Sequence, residues 1–289
     1  MKRVSLSRAG AQVFFCAVFI ASAAAVTVFA LPPDIARIKN SKKIVVALIA
    51  EDSPPFFYQD GPRNLKGIDI EIARLIGSRL GVAVVFDRSP QTFDEVLDFV
   101  ARGKADIAIS ALYPSLERAQ KVVFTRPYYR ITPVLIVNRL AAAPLGVLPS
   151  MEAFNNPKTS IGFYNAAMFP GLVHRNFPSA RLAAYKNDGK RNVLISDLTQ
   201  GKLAAIYTDE IEEKKWRKEI KNFDLYFRVI KDPKTRISVS IAARWQDTHL
   251  AYWLNSFLTT LREALGDRSL DDIVGRNLGD LLGWNANTQ

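Results

Sequence analysis

The order of the predicted elements constrains the fold most, because strands and helices alternate in two successive blocks. In the first block, three short β-branched or alanine-rich runs at 43–49, 82–86 and 105–109 are predicted to be strands. Two helices separate these strands. The first begins after Gly67, and the second is capped by Thr92 and ends at Gly103. The resulting β-α-β-α-β order favours an open, mostly parallel α/β sheet.

The second block repeats this alternation. Its predicted strands are 160–164, 180–185 and 203–207, with helices from about 167 and over 192–200, followed by helices over 248–264 and 269–282. Two α/β blocks joined by extended segments predict a cleft between lobes. Ligands of open α/β sheets bind beyond the carboxyl ends of the strands. Ser110–Arg118 and Asp209 follow the third strands of the two blocks, so we expect both to face the cleft.

The N-terminus has the layout of an export signal. Residues 1–12 carry three basic side chains and no acid, 13–31 are uncharged and mostly apolar, and a proline pair ends the run. This pattern predicts a secretory signal peptide over 1–30, cleaved after Ala30. The alternative is an uncleaved membrane anchor, because the apolar run nearly suffices to span a bilayer. The sole cysteine, Cys16, lies within this segment.

Composition and motifs narrow the function. The chain is 48% hydrophobic and 23% charged, which is typical of a globular protein rather than a disordered one. Its net charge of +11 comes from basic residues interleaved with acids, which argues against a nucleic-acid partner. One cysteine and two widely separated histidines offer no metal-ligand spacing, and no nucleotide-binding or hydrolase motif occurs. We therefore expect no metal, no cofactor and no enzymatic activity.

Five short stretches carry a family resemblance. They are Ser53-Pro54-Pro55-Phe56, Gly67–Ala73, Gly103–Ile109, Leu116–Arg118 with Phe124–Tyr129, and Gly201–Glu210. In this order and behind an export signal, they resemble the periplasmic solute-binding proteins of the polar amino-acid type, the substrate-binding family of ABC transporters. The resemblance covers about residues 41–283.

The resemblance implies an α/β fold of the two-lobed, type II periplasmic-binding-protein kind, with two hinge crossings. Lobe 1 is expected to comprise 41–130 plus 238–283, and lobe 2 to comprise 134–234. It also implies a monomer in the periplasm that captures a small carboxylate or amino-acid-like ligand. The expected partner is an ABC importer in the membrane.

Two charged residues match the family's ligand contacts. Arg118 matches the arginine that clamps the ligand's α-carboxylate, a role that suits the paired donors of a guanidinium. Its alternative role is that of a surface arginine after a turn. Asp209 matches the acid that pairs with the ligand's α-ammonium, and its alternative role is that of a helix N-cap.

Other positions imply a modified lining. Ser115 is expected to donate to the carboxylate, and Phe93 matches a wall position, with a core role as its alternative. Tyr113 stands where the family often has a small hydroxyl residue. The family's stacking aromatic is replaced by Ser53, and its hydroxyl-bearing turn is replaced by an Ala-Ala-Met turn that ends at Met168. We therefore expect a zwitterionic or carboxylate ligand that differs in shape from an ordinary amino acid.

Two other functions stay open at this point. One is a sensor or accessory periplasmic subunit on the same fold, and the other is an enzyme similar to the periplasmic dehydratases of aromatic-acid precursors.

Overall fold

A computed structural model describes residues 30–62, 64–146, 149–165, 169–186, 192–232, 234–266, 268, 270, 279 and 282–283. The predicted signal peptide, Met168 and most of the predicted closing helix lie outside these residues. In the described part of the chain, no helix combines the length and the apolarity that crossing a membrane requires.

The first half of the described chain begins with a helix and ends with strand β7. Its elements are α1 (Pro33–Ser41), β1 (Lys43–Ala47), β2 (Tyr58–Gln59), β3 (Leu65–Lys66), α2 (Ile68–Leu80), β4 (Ala83–Asp87), α3 (Phe93–Ala101), β5 (Ile107–Ala108), α4 (Leu116–Ala119), β6 (Val123–Phe124) and β7 (Tyr129–Ile131).

The second half returns to the same alternation. Its elements are β8 (Pro133–Asn138), β9 (Ser160–Tyr164), α5 (Phe169–Asn176), β10 (Arg181–Tyr185), α6 (Asn192–Thr199), β11 (Ala205–Asp209), α7 (Glu210–Glu219), α8 (Phe223–Tyr226), β12 (Phe227–Lys231), β13 (Ile237–Val239), β14 (Ala242–Ala243) and α9 (Thr248–Leu265), with 3-10 turns at Ala143–Leu145 and Met151–Phe154.

The first sheet has the strand order β4-β1-β5-β14-β6. β4, β1 and β5 are parallel, with Ile44 opposite Val84 and Val46 opposite Ile107, while β14 is antiparallel to both of its neighbours. The side chains of Ile44, Val46 and Ile107 are fully buried. α2 and α3 pack against these strands and bury them. The strand sequences are therefore short apolar runs and do not alternate between apolar and polar residues.

The second sheet has the equivalent order β10-β9-β11-β8-β12. β10, β9 and β11 are parallel, and β8 and β12 add antiparallel strands at one side. α5, α6 and α7 pack on this sheet. Each sheet therefore has the three neighbouring parallel strands that the sequence predicts, extended by two antiparallel pairings that it does not predict.

Two crossings connect the sheets. The chain leaves the first sheet after β6, passes through β7 and enters the second sheet at β8, then returns from β12 through β13 to β14. β7 and β13 pair antiparallel, with Tyr129 opposite Val239 and Ile131 opposite Ile237. This arrangement gives an α/β protein with two lobes and two hinge crossings. The exact residue bounds of the lobes stay a prediction.

The helix α1 was not predicted from the sequence. Pro33 occupies its first turn, and Leu250 N–H donates to the Asp34 carboxylate over 2.9 Å. Arg37 pairs with Asp106 and, through Nη2 at 3.1 Å, with Asp247. These contacts hold the N-terminal helix against the first sheet and the start of α9.

Candidate functional site

The loop between β5 and α4 carries the predicted carboxylate contacts. Ala111 adopts a left-handed conformation with φ of 48°, and its N–H donates to Asp69 Oδ2 over 2.8 Å. Ser115 is the N-cap of α4, and its Oγ accepts a hydrogen bond from Arg118 N–H at 3.2 Å. The loop is therefore held at its start by the hydrogen bond to Asp69 and at its end by the Ser115 cap of α4.

The Arg118 side chain is 16% exposed and lies beside two acceptors. Its Nη1 donates to the Tyr113 carbonyl oxygen over 3.1 Å, and its Nε lies 3.3 Å from Asp94 Oδ1. Asp94 is 70% exposed, in the first turn of α3. A guanidinium has five N–H donors, so these contacts leave donors for a further carboxylate.

Asp209 is buried at the junction of β11 and α7. Its Oδ1 accepts hydrogen bonds from Ile211 N–H at 2.9 Å and Glu212 N–H at 3.0 Å, so Asp209 is the N-cap of α7. Burial raises the pKa of Asp209, the two backbone donors oppose this effect, and the charge of Glu210 adds to it. The N-cap role that the sequence left open is present, and ligand binding by Asp209 stays a prediction.

The Tyr113 phenol lies within electrostatic range of both Arg118 and Asp209. Burial raises the pKa of its phenol well above the ordinary value, the charges of Asp209 and Glu212 raise it further, and the charge of Arg118 lowers it. The phenol therefore lies within electrostatic range of acids at the start of α7 and of the arginine on α4. The structure thus brings Tyr113, Arg118 and Asp209 together, although they belong to the two different sheets.

Ligand contacts of the other predicted residues, Phe93, Ser53 and Met168, stay predictions. Phe93 is half-buried at the start of α3 and packs against the core of the first sheet. Ser53 N–H donates to the Phe57 carbonyl oxygen at 2.8 Å, and its own carbonyl accepts from Phe56 N–H at 2.9 Å. No contact of Ser53 with the arginine or the aspartate of the site is found among the described residues. Met168 lies outside them.

Two acids of the site were missed in the sequence. Asp94 is an exposed acid whose Oδ1 lies 3.3 Å from Arg118 Nε, at the predicted carboxylate clamp. Its position directly after Phe93, in the first turn of α3, is the signal that points to it. Glu212 lies three residues after Asp209 in the first turn of α7, a spacing that places two side chains on one helix face.

Asp69 is a third residue that sequence reasoning left without a role. It is fully buried on α2, and Tyr128 Oη donates to its Oδ1 over 2.6 Å. Burial raises the pKa of Asp69 to about 7, although the bonds from Tyr128 and Ala111 lower it. Asp69 thus links the ligand loop to the residue that precedes hinge strand β7.

Among the residues that the structure describes, the charged side chains assigned to the site are Arg118 and three acids, Asp94, Asp209 and Glu212. Within the described ranges, no three His, Cys, Asp or Glu residues lie together as a metal site would require. The arrangement suits an organic ligand that offers a carboxylate to Arg118 and a cation to the acids.

Comparisons with known proteins identify the family of the chain. The family model of the bacterial extracellular solute-binding proteins, family 3, matches residues 45–274. The chain is 31% identical over 119 residues to a membrane-bound lytic murein transglycosylase F of Saccharophagus degradans, a match that covers 41% of the chain but 23% of that protein. It is 23% identical over 211 residues to the ABC transporter arginine-binding protein 1 of Escherichia coli K12, covering 72% of the chain and 81% of that protein.

An enzyme and a solved structure complete the comparison. A cyclohexadienyl dehydratase of Pseudomonas aeruginosa is 26% identical over 180 residues, covering 61% of the chain and 62% of the enzyme. The crystal structure of the amino acid ABC transporter substrate-binding protein AbpA from Streptococcus pneumoniae, bound to L-arginine, is similar with a TM-score of 0.59 and 26% identity, covering 88% of the chain and 100% of AbpA.

Proposed function

The chain belongs to the bacterial extracellular solute-binding proteins, family 3, and we propose that it captures a small amino-acid-like ligand between its two lobes. Its fold is the two-lobed, type II periplasmic-binding-protein fold, as the sequence predicts. The proposed lobes are 41–130 plus 238–283 and 134–234.

One arrangement carries this proposal: Arg118 follows β5 of the first sheet, the buried Asp209 ends β11 of the second sheet, and both lie within electrostatic range of the Tyr113 phenol. A ligand between them can give its carboxylate to Arg118 and its ammonium to Asp209. Asp94 already provides a carboxylate to the guanidinium, so the ligand's carboxylate would take the place of that exposed side chain. In this proposal Ser115 orients Arg118 through its cap, and Tyr113 offers its hydroxyl to the ligand.

The same charges provide a mechanism for closure. Arg118 follows a strand of the first sheet and Asp209 ends a strand of the second, so a zwitterion touches both charges only when the lobes close. A ligand shifts a hinge equilibrium only by its differential affinity for the two states. We infer that β7 and β13 absorb this motion, because they are the described connections between the sheets.

The proposed role is delivery of this ligand to an ABC importer by a monomeric periplasmic protein without enzymatic activity. Similarity to the arginine-binding protein of Escherichia coli and to AbpA, both of which belong to ABC transporters, supports a transport role. The apolar N-terminal run followed by a proline pair supports export.

Calorimetric titration of the purified protein tests the arginine. A thermal-shift screen of amino acids, opines, small peptides and simple carboxylates first identifies a ligand. We expect Arg118→Ala to abolish its binding with an unchanged circular-dichroism spectrum. Arg102→Ala removes a 71% exposed arginine at the end of α3 and is the matched control, which should bind normally. Unchanged affinity of Arg118→Ala would reject the assignment.

Asp209→Asn tests the ammonium contact separately. Asparagine caps helices about as well as aspartate, so the variant keeps α7 capped while losing the negative charge. Ligands with an amine should bind more weakly, and carboxylates without an amine should bind as before. Equal losses for both ligand classes would contradict a role for Asp209 as the ammonium partner.

A second candidate is a sensor or accessory module. The match to the murein transglycosylase favours it, because that match covers 23% of the longer protein. A screen without any hit, together with an N-terminal segment that stays uncleaved, would support this candidate. The dehydratase-like alternative predicts instead that mass spectrometry detects conversion of the bound ligand.

A further inference from the structure

A buried carboxylate connects the ligand loop, residues 109–115 between β5 and α4, to one hinge crossing. Ala111 N–H of this loop donates to Asp69 Oδ2 over 2.8 Å. Tyr128, the residue before β7, donates its hydroxyl to Asp69 Oδ1 over 2.6 Å. The two oxygens of one side chain therefore hold the loop and the start of the crossing together.

The other crossing contacts the next residue of the loop. Ser240 follows β13, and its N–H donates to the Leu112 carbonyl oxygen over 3.0 Å. Tyr128 N–H donates to the Val239 carbonyl oxygen over 3.0 Å, which joins the two crossings to each other. Both hinge crossings are therefore bonded to the loop and to one another.

These contacts close a ring, here called the hinge ring. Its hydrogen bonds alternate with covalent neighbours along the chain, and apart from the half-buried Tyr128 its members are buried. The ring runs through Ala111, Asp69, Tyr128, Val239, Ser240 and Leu112. Because each member has a fixed partner on either side, displacing one hinge strand must strain or break a bond on the loop side.

Asp69 is the part of the hinge ring on which the loop conformation depends most. Ala111 has a φ of 48°, a left-handed conformation that residues with a Cβ rarely adopt. A hydrogen bond to a buried carboxylate is strong enough to offset this cost. Burial raises the pKa of the Tyr128 phenol well above its ordinary value, and the Asp69 charge raises it further, so the phenol keeps its proton and donates.

The hinge ring also determines where the cleft arginine lies. Tyr113 directly follows Leu112 of the ring, and its carbonyl oxygen accepts from Arg118 Nη1 over 3.1 Å. The course of the loop from Ala111 onward therefore sets the position of an acceptor that orients the guanidinium.

We propose that Asp69 is a positioning residue that couples the hinge to the ligand loop, so that movement of β7 and the placement of Arg118 change as one unit. The part of this inference that concerns Arg118 rests on the proposed function. The coupling itself is a property of the protein without ligand.

Hydrogen exchange of the ligand-free protein, resolved to single amides, tests the coupling in Tyr128→Phe. This substitution removes only the hydroxyl that donates to Asp69. We expect the Ala111 and Ser240 amides to exchange at least about tenfold faster, because losing one hydrogen bond to a charged group shifts an opening equilibrium by about that factor. Neither amide is bonded to Tyr128, so a purely local role of its hydroxyl would leave both rates unchanged.

Tyr207→Phe is the matched control. Tyr207 Oη also donates to a buried aspartate, Asp232 at 3.1 Å, but in the second sheet, so its loss should leave both amides unchanged. Asp69→Asn keeps an acceptor for Ala111 N–H and should exchange close to wild type, whereas Asp69→Leu should exchange at least as fast as Tyr128→Phe. If Asp69→Leu does not fold, the comparison of the two tyrosine variants decides.

Wild-type exchange of either amide in Tyr128→Phe would overturn the proposal. Equal acceleration in Tyr207→Phe would also overturn it, because the cause would then be a general loss of stability. Since no ligand is present, these outcomes are separate from the calorimetric test of Arg118. A failure of ligand binding would leave the exchange result standing, and a failure of the exchange test would leave the ligand site standing.

Discussion

Replacing the buried Asp69 by asparagine should remove most of the fall in the free energy of unfolding that this residue causes between pH 5 and pH 8. The Asp69 carboxylate accepts from Tyr128 Oη at 2.6 Å and from Ala111 N–H at 2.8 Å, in a fully buried position. Burial raises its pKa from an ordinary value of 3.8 to about 7. The folded protein therefore holds this proton over a pH range in which the unfolded chain has already released it.

The direction of the effect follows from proton binding. Because the folded state binds more protons between the two pKa values, the free energy of unfolding falls as the pH rises through this window and is constant above it. At about 1.4 kcal/mol per pKa unit, Asp69 contributes a loss of about 3 kcal/mol between pH 5 and pH 8. This loss is a large fraction of the stability of a typical domain.

Asparagine keeps the hydrogen bonds and removes the titration. Its carbonyl can accept from Ala111 N–H, and its amide can donate to the Tyr128 hydroxyl oxygen. Urea unfolding followed by tryptophan fluorescence gives the free energy of unfolding at each pH. The wild-type protein should lose about 3 kcal/mol more of its free energy of unfolding than Asp69→Asn between pH 5 and pH 8.

A second buried aspartate offers the matched control. Asp232 also accepts from a tyrosine hydroxyl, that of Tyr207 at 3.1 Å. Burial pushes the pKa of Asp232 upward, but hydrogen bonds from Thr235, Lys234 and Tyr207 outweigh it and hold the pKa below the ordinary value. The stability that the ionised Asp232 contributes is lost only at acidic pH. Between pH 5 and pH 8, the free energy of unfolding of Asp232→Asn should therefore change with pH as it does in the wild-type protein. If the free energy of unfolding of Asp69→Asn fell with pH as steeply as that of the wild-type protein, titration of Asp69 would not be the cause of the fall.

Three further changes have defined outcomes. Asp94→Asn should strengthen binding of a carboxylate ligand about threefold in calorimetry, since an exposed ion pair contributes less than about 1 kcal/mol; weaker binding would contradict this. Arg37→Ala should lower the free energy of unfolding in urea by about 1 kcal/mol, because Asp106 loses its charged partner whereas Asp247 keeps Arg244, and a change within error would show that this pairing contributes nothing. Thr92→Ala should cost about 1 kcal/mol in the same assay through loss of the α3 N-cap, and full stability would exclude that cap as a contributor.

Where local patterns predicted a strand or a helix, its bounds mostly lie within two residues of the observed ones, whereas β8, α7 and β12 are among the elements that local patterns did not predict. The predicted strand 160–164 coincides with β9, and Thr92 begins α3 by accepting a hydrogen bond from Glu95 N–H. These predictions succeed because caps, glycine stops and β-branched runs act over a few residues. α1 was missed, because the proline pair before it was interpreted only as the end of the apolar run, and the partners of Arg37 lie far away in sequence.

The sequence by itself determined the order of strands and helices, the two crossings and the opposite charges that follow the third strand of each block. Those properties depend on short-range patterns and on family motifs that Arg118 and Asp209 match. Only the tertiary structure decided that Asp94 turns toward Arg118, that Asp209 also caps α7, and that Asp69 and Tyr113 have raised pKa values. Burial and electrostatic range depend on residues from both sheets, so no local pattern contains them.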